Sequence, residues 1–114
     1  MKTTGSHRLF GIPNCDTVKK VRSYLSQHEI SYEFVDFKKQ PPTSSDIQRW
    51  KAFLQRWPVN QKGPTFRKLS SQFEAALDSE KIMLLIENPS AIQRPILEKD
   101  GQVVAVGFDL KFYK

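Results

Sequence analysis

Three hydrophobic patterns follow one another in the first third of the chain. Arg8-Leu9-Phe10-Gly11-Ile12 is a short apolar run that predicts a strand, ended by the turn pair Pro13-Asn14. Val18, Val21 and Leu25 then recur at helical spacing, which predicts an amphipathic helix running to about His28. Tyr32-Glu33-Phe34-Val35-Asp36-Phe37 alternates and is rich in β-formers, so a second strand follows. Together they make a βαβ unit, whose crossover places the two strands parallel.

The middle of the chain reads as helical. Thr43 stands in front of Ile47, Trp50, Leu54 and Trp57, with Asp46 at the return position of a capping box and Pro58 closing the apolar face. A second helix is expected near Thr65, carrying Phe66, Leu69 and Phe73, and a third near Ser79, carrying Ile82, Leu85 and Ile86 and stopping before Asn88-Pro89. Further on, Pro95-Ile96-Leu97-Glu98-Lys99 and Gln102-Val103-Val104-Ala105-Val106 flank Asp100-Gly101, a strong signal for a tight hairpin. With no repeat, low-complexity tract or linker in the way, the order βαβ, helices, ββ predicts one α/β domain over residues 1–114 with a helical insertion at about 41–88. A parallel βαβ half joined to an antiparallel hairpin is the thioredoxin-like mixed sheet.

Composition narrows the class without naming a function. The chain is 39% apolar and 26% charged with eight Phe, the balance of a folded protein and not of a disordered one. No stretch approaches the roughly 20 consecutive apolar residues a membrane span needs, and the polar Met1-Lys2-Thr3-Thr4 start has no apolar signal region behind it. A cytoplasmic location is the expectation. The net charge of +6 is spread from Arg8 to Lys114 without a dense basic tract, which reads as a solvated surface before an anion site, and as a nucleic-acid surface last.

Cys15 is the only cysteine, so any disulfide it makes is with another molecule. It lies at the predicted start of the first helix. Unpaired backbone N–H groups and the positive end of the helix dipole favour an anion there, which would lower the thiol pKa. A nucleophilic Cys15 is one reading; a buried, inert cysteine is the other. Lys19 and Lys20 would add positive charge, and Asn14 and Asp16 fit turn and capping roles, with Asn14 also able to orient a thiolate or an anion. His7 and His28, far apart and without a second cysteine, read as surface residues and not as metal ligands.

Gly11-Ile12-Pro13-Asn14-Cys15-Asp16-Thr17-Val18-Lys19-Lys20, then Lys62-Gly63-Pro64-Thr65-Phe66-Arg67-Lys68-Leu69, then Ile86-Glu87-Asn88-Pro89-Ser90 with Gln93-Arg94-Pro95-Ile96-Leu97, resemble the arsenate reductase (ArsC)/Spx family, and within it the short YffB-like branch. The likeness runs in order over nearly the whole chain. It implies a catalytic Cys15, anion-binding Arg67 and Arg94, and a Pro95 that is cis and packs opposite the cysteine. Arginine suits the anion role because its planar fork engages oxygens in pairs. The third arginine of arsenate reductases has no counterpart in Val106-Gly107-Phe108-Asp109-Leu110, which argues against arsenate chemistry.

Val18 sharpens the reading. In Cys-x-x-Cys sites the second cysteine, three positions on, resolves the mixed disulfide, and here that position is valine. A catalytic cycle would need an external thiol, with glutathione as the expected co-substrate and no bound cofactor or metal. Three functions are therefore carried forward. One is a glutathione-dependent thiol-disulfide reductase. The second is an arsenate reductase. The third is an Spx-like regulator that binds the C-terminal domain of the RNA polymerase α-subunit without a redox switch.

Overall fold

The computed structural model describes residues 7–107, and the chain forms two compact units. One combines the residues up to Gln40 with those from Arg94 onward; the other is Pro41–Gln93. Together they hold a four-stranded mixed sheet and four α-helices, the mixed α/β, thioredoxin-like class that the pattern of apolar positions predicts.

The first unit contains β1 (His7–Gly11), α1 (Asp16–Gln27), β2 (Glu33–Asp36), β3 (Ile96–Lys99) and β4 (Gln102–Val106). The strand order is β2-β1-β3-β4, with β1 parallel to β2 and antiparallel to β3, and β3 antiparallel to β4. Register explains the core. Phe34, Leu9, Leu97 and Ala105 stand opposite one another across the four strands. Leu9, Leu97 and Ala105 pack with Val21 and Leu25 of α1 into one buried cluster, flanked by Tyr24, Ile30, Tyr32 and Phe34. The helical spacing of Val18, Val21 and Leu25 is thus the buried stripe of α1.

The ends of α1 show how the chain is steered. The Ile30 N–H donates to the Leu25 carbonyl at 2.9 Å and that of Glu29 to Ser26 at 3.1 Å, the bond pair of a Schellman stop. Glu29 occupies the left-handed position, φ 57°, where glycine is usual. Ile30 then packs against the core cluster and compensates. At the other end of the unit, Asp100 (φ 53°) and Gly101 (φ 82°) are both left-handed between the paired Lys99 and Gln102. That geometry is a two-residue type I′ turn, the one whose twist matches a hairpin.

The second unit contains α2 (Ser44–Leu54), α3 (Pro64–Ala75), α4 (Asp78–Glu87) and a single 3₁₀ turn at Pro89–Ala91. The capping box is complete: the Asp46 N–H donates to Thr43 Oγ1 at 3.1 Å and the Thr43 N–H to Asp46 Oδ2 at 2.9 Å. Trp57 is not on α2. The backbone turns left-handed at Gln55, φ 58°, whose N–H closes on Lys51 O, so the helix ends before the tryptophan. Trp57 instead meets the Phe73 ring edge-on at 5.6 Å. Trp50 and Ile47, by contrast, are fully buried from α2. The loop before α3 is pinned to the loop after the 3₁₀ turn by Asn60 N–H to Ala91 O, Gln93 N–H to Pro58 O and the Val59–Ile92 bridge.

Gly11 closes β1 where there is no room for a side chain. A Cβ there would lie 2.9 Å from Val18 Cγ2, and valine on a helix is held to one rotamer. Gly11→Ala is expected to lower stability by about 1–3 kcal/mol, the usual cost of overpacking. Thermal or urea unfolding at the parental midpoint would show that the helix start shifts freely.

A candidate thiol site at the start of the first helix

Cys15 is the N-cap of α1, with extended backbone (φ −96°, ψ 127°), and its side chain is half-buried. The chain reaches it by a tight turn from β1. The Cys15 N–H donates to Ile12 O at 3.3 Å with Pro13 at the second turn position, while the Cys15 carbonyl accepts the first bond of the helix from Lys19 N–H at 2.9 Å. The sulfur therefore takes the place where a serine or aspartate oxygen would cap the helix. A neutral thiol is a weak acceptor and makes no capping bond here. A thiolate is a strong one.

That difference sets the titration. Burial alone pushes the Cys15 thiol up; against it, the Val18 N–H, the Arg94 side chain, the Thr17 N–H and finally the Arg94 charge favour the thiolate, and the net shift is downward from 9.0. The amides belong to the second and third helical positions, which have no carbonyl partner within the helix. Arg94 comes from the far end of the sequence. Its backbone leads into a cis Arg94–Pro95 bond, and the Gly107 N–H donates to Pro95 O at 2.8 Å, joining this loop to the end of β4. Of the site residues expected from the sequence, the structure brings Cys15 and Arg94 together directly.

The others stand as follows. Asn14 is exposed in the turn before Cys15 and is not among the groups that act on the thiol. Lys19 and Lys20 are exposed on α1 and are likewise absent from that set, so the positive charge comes from Arg94 and not from them. Pro95 is buried, with its Cβ 3.7 Å from where a Gly11 Cβ would be. Val18 is fully buried on the core face of α1. Arg67 is exposed on α3 in the helical unit and is described there. Phe108, Asp109 and Leu110, within the stretch that would correspond to the third arginine, lie outside the described residues. Among the described residues, no group of three or more His, Cys, Asp or Glu is placed to hold a metal ion, and no helix is long and apolar enough to cross a membrane.

The unpaired backbone N–H groups expected at the helix start are those of Thr17 and Val18. Thr17 and Val18 carry the chemistry through their backbone N–H groups and not through their side chains; the signal for it is the helix boundary itself. Arg94→Met removes both a hydrogen bond and a charge from the thiolate, so the midpoint of the alkylation rate against pH should move up toward 9.0. An unchanged midpoint would leave the amides as the whole cause.

Comparison with known proteins shows the family of the chain. An uncharacterized protein of Haemophilus influenzae is 34% identical over 109 residues, covering 93% of this chain and 94% of its own. The global transcriptional regulator Spx of Streptococcus agalactiae is 27% identical over 104 residues, covering 89% of this chain and 75% of its own. The solved structure of a YFFB protein superposes with a TM-score of 0.80 at 39% identity, covering 94% of this chain and 95% of that one. The ArsC family profile matches residues 10–114, and with that match over nearly the whole length the chain belongs to the ArsC family.

Proposed function

We propose that the protein is a glutathione-linked thiol-disulfide reductase in which Cys15 is the sole nucleophile. The observation that carries this reading is the downward shift of the Cys15 thiol by the Val18 and Thr17 amides and Arg94, in a helix start whose third position holds a buried valine. The Cys15 thiolate attacks the glutathione sulfur of a mixed disulfide RS–SG, forming Cys15–S–S–G and releasing RS⁻, which takes a proton. A second glutathione thiolate attacks that bond, returning the Cys15 thiolate and leaving as oxidised glutathione. The net exchange is RS–SG plus glutathione giving RSH plus oxidised glutathione. Arg94 holds the thiolate before attack and stabilises it again as the leaving group.

The family also contains arsenate reduction, in which the same thiolate would attack the arsenic centre. Val106-Gly107-Phe108-Asp109-Leu110, the stretch that corresponds to the third arginine of arsenate reductases, holds no arginine, so a multiply charged adduct would have less positive charge to hold it. A regulatory reading has its own support in the Spx relatives, whose likeness covers 89% of this chain. On that reading the chain would bind the C-terminal domain of the RNA polymerase α-subunit.

Parallel assays of arsenate and of a small glutathione mixed disulfide, each with and without free glutathione, separate these readings. Turnover of the disulfide that requires glutathione supports the reductase. Turnover of arsenate alone overturns it, and no turnover of either, with recovery of RNA polymerase from a pull-down, transfers the protein to the regulators.

A further inference from the structure

The helical unit carries a cleft of its own. The loop after α2, one side of α3 and the start of α4 enclose about 480 Å³, lined by Arg56, Trp57, Phe66, Arg67, Phe73 and Lys81 among others. That volume is within the range of small-molecule sites. Its floor is aromatic: the Phe66 and Phe73 rings meet edge-on at 5.3 Å, and Trp57 meets Phe73 edge-on at 5.6 Å. Its charge is one-sided, with three cations against the single carboxylate of Glu74.

The cations are placed but not neutralised. Lys81 Nζ lies 5.3 Å from the Phe73 centroid and 5.6 Å from that of Trp57, while Lys51 Nζ sits 5.0 Å from Trp57. A ring face fixes an ammonium without cancelling its charge. Arg56 is held by its Nη1 donating to Gln93 Oε1 at 2.9 Å, which leaves further donors on the same fork. Among the described residues, no ion pair involves Arg67, Lys81 or Glu74. Aromatic walls with several cations in the lining are the chemistry of a ligand that has an acid group on a flat apolar body.

We propose that this cleft binds a small aryl carboxylate, its ring against Trp57 and Phe73 and its carboxylate held by Lys81 and Arg56. The volume suits a small molecule better than a peptide, which needs an extended groove. Every residue that lines the cleft lies within Pro41–Gln93.

The test is an amide NMR titration of the full chain with 2-naphthoate, with neutral 2-naphthamide and sodium sulfate as comparisons. Saturable shifts confined to Phe66, Ser70, Phe73 and Lys81 are expected, with the amide at least about tenfold weaker because it lacks the charge. Lys81→Gln and Arg56→Gln, both at side chains that reach solvent, should each weaken naphthoate by about three- to tenfold. Cys15→Ser should leave binding unchanged even if it abolishes turnover, which keeps this result apart from the fate of the reductase reading. The proposal is overturned by shifts that do not saturate, by equal affinity for the amide, by sulfate reproducing the pattern, or by an acidic tryptophan-containing peptide that saturates the same residues at lower concentration.

Discussion

Cys15→Ser should lose the glutathione adduct entirely and reduce disulfide turnover by on the order of 10³-fold or more, because the serine hydroxyl is not ionised at neutral pH and no second thiol can substitute for it. Intact mass after exposure to oxidised glutathione reads the first effect and initial rates read the second. The same pair of proteins carries a stability signature. The folded Cys15 pKa is below its ordinary 9.0, so ionisation is easier in the native state than in the unfolded one. Its contribution to stability is absent at low pH, grows as pH rises through the folded value, and is complete above 9.0. The stability of the parent relative to Cys15→Ser should therefore rise with pH across that window. A difference that is flat with pH would mean that the amides and Arg94 do not hold the charge, and the mechanism would lose its starting species.

The parts of the fold that can be read in advance are those where local chemistry and global packing agree. Asp100-Gly101 forms the left-handed pair that its dipeptide announces, and Thr43 with Asp46 closes both bonds of its capping box. The stripe Val18, Val21, Leu25 is the buried face of α1 because nothing competes with burial there. The end of α2 is harder. Gln55 turns left-handed without being glycine or asparagine, so that end carries no local mark and apolar spacing alone carries α2 one turn too far, to Trp57, whereas α1 stops at His28 as its periodicity predicts.

The site is legible only in part for a related reason. Cys15 can be placed at a helix start, since strand, turn and helix each leave a pattern. Proximity in sequence then points to Lys19 and Lys20, yet a capping sulfur sits at the end of the helix axis while those side chains leave from its exposed flank. The cation that reaches the thiol is Arg94, brought by the pairing of β3 with β1, a non-local contact that no window of residues contains. Its position is available from the sequence only through resemblance to the family.

Val18→Cys is expected to change the product of oxidation and not merely its amount. The substitution places a thiol three residues after Cys15, in the first turn of α1, at a position whose side chain is now fully buried. Replacing valine by the smaller cysteine opens a little space beside Gly11, at a cost of about 1 kcal/mol that the fold should bear. When oxidised glutathione then forms the mixed disulfide at Cys15, the new thiolate can attack the Cys15 sulfur, form an internal bond and expel glutathione as its thiolate. Intact mass should show the glutathione adduct only in passing, followed by a protein lighter than its dithiol form by two hydrogens. Arg94 and the two amides remain to favour the Cys15 thiolate as leaving group on reduction. Persistence of the adduct at the parental level would mean that a thiol at this buried position cannot reach the Cys15 sulfur. Single-thiol behaviour would then be imposed by the helix start itself, and the valine would be a core residue with no part in choosing the resolving thiol.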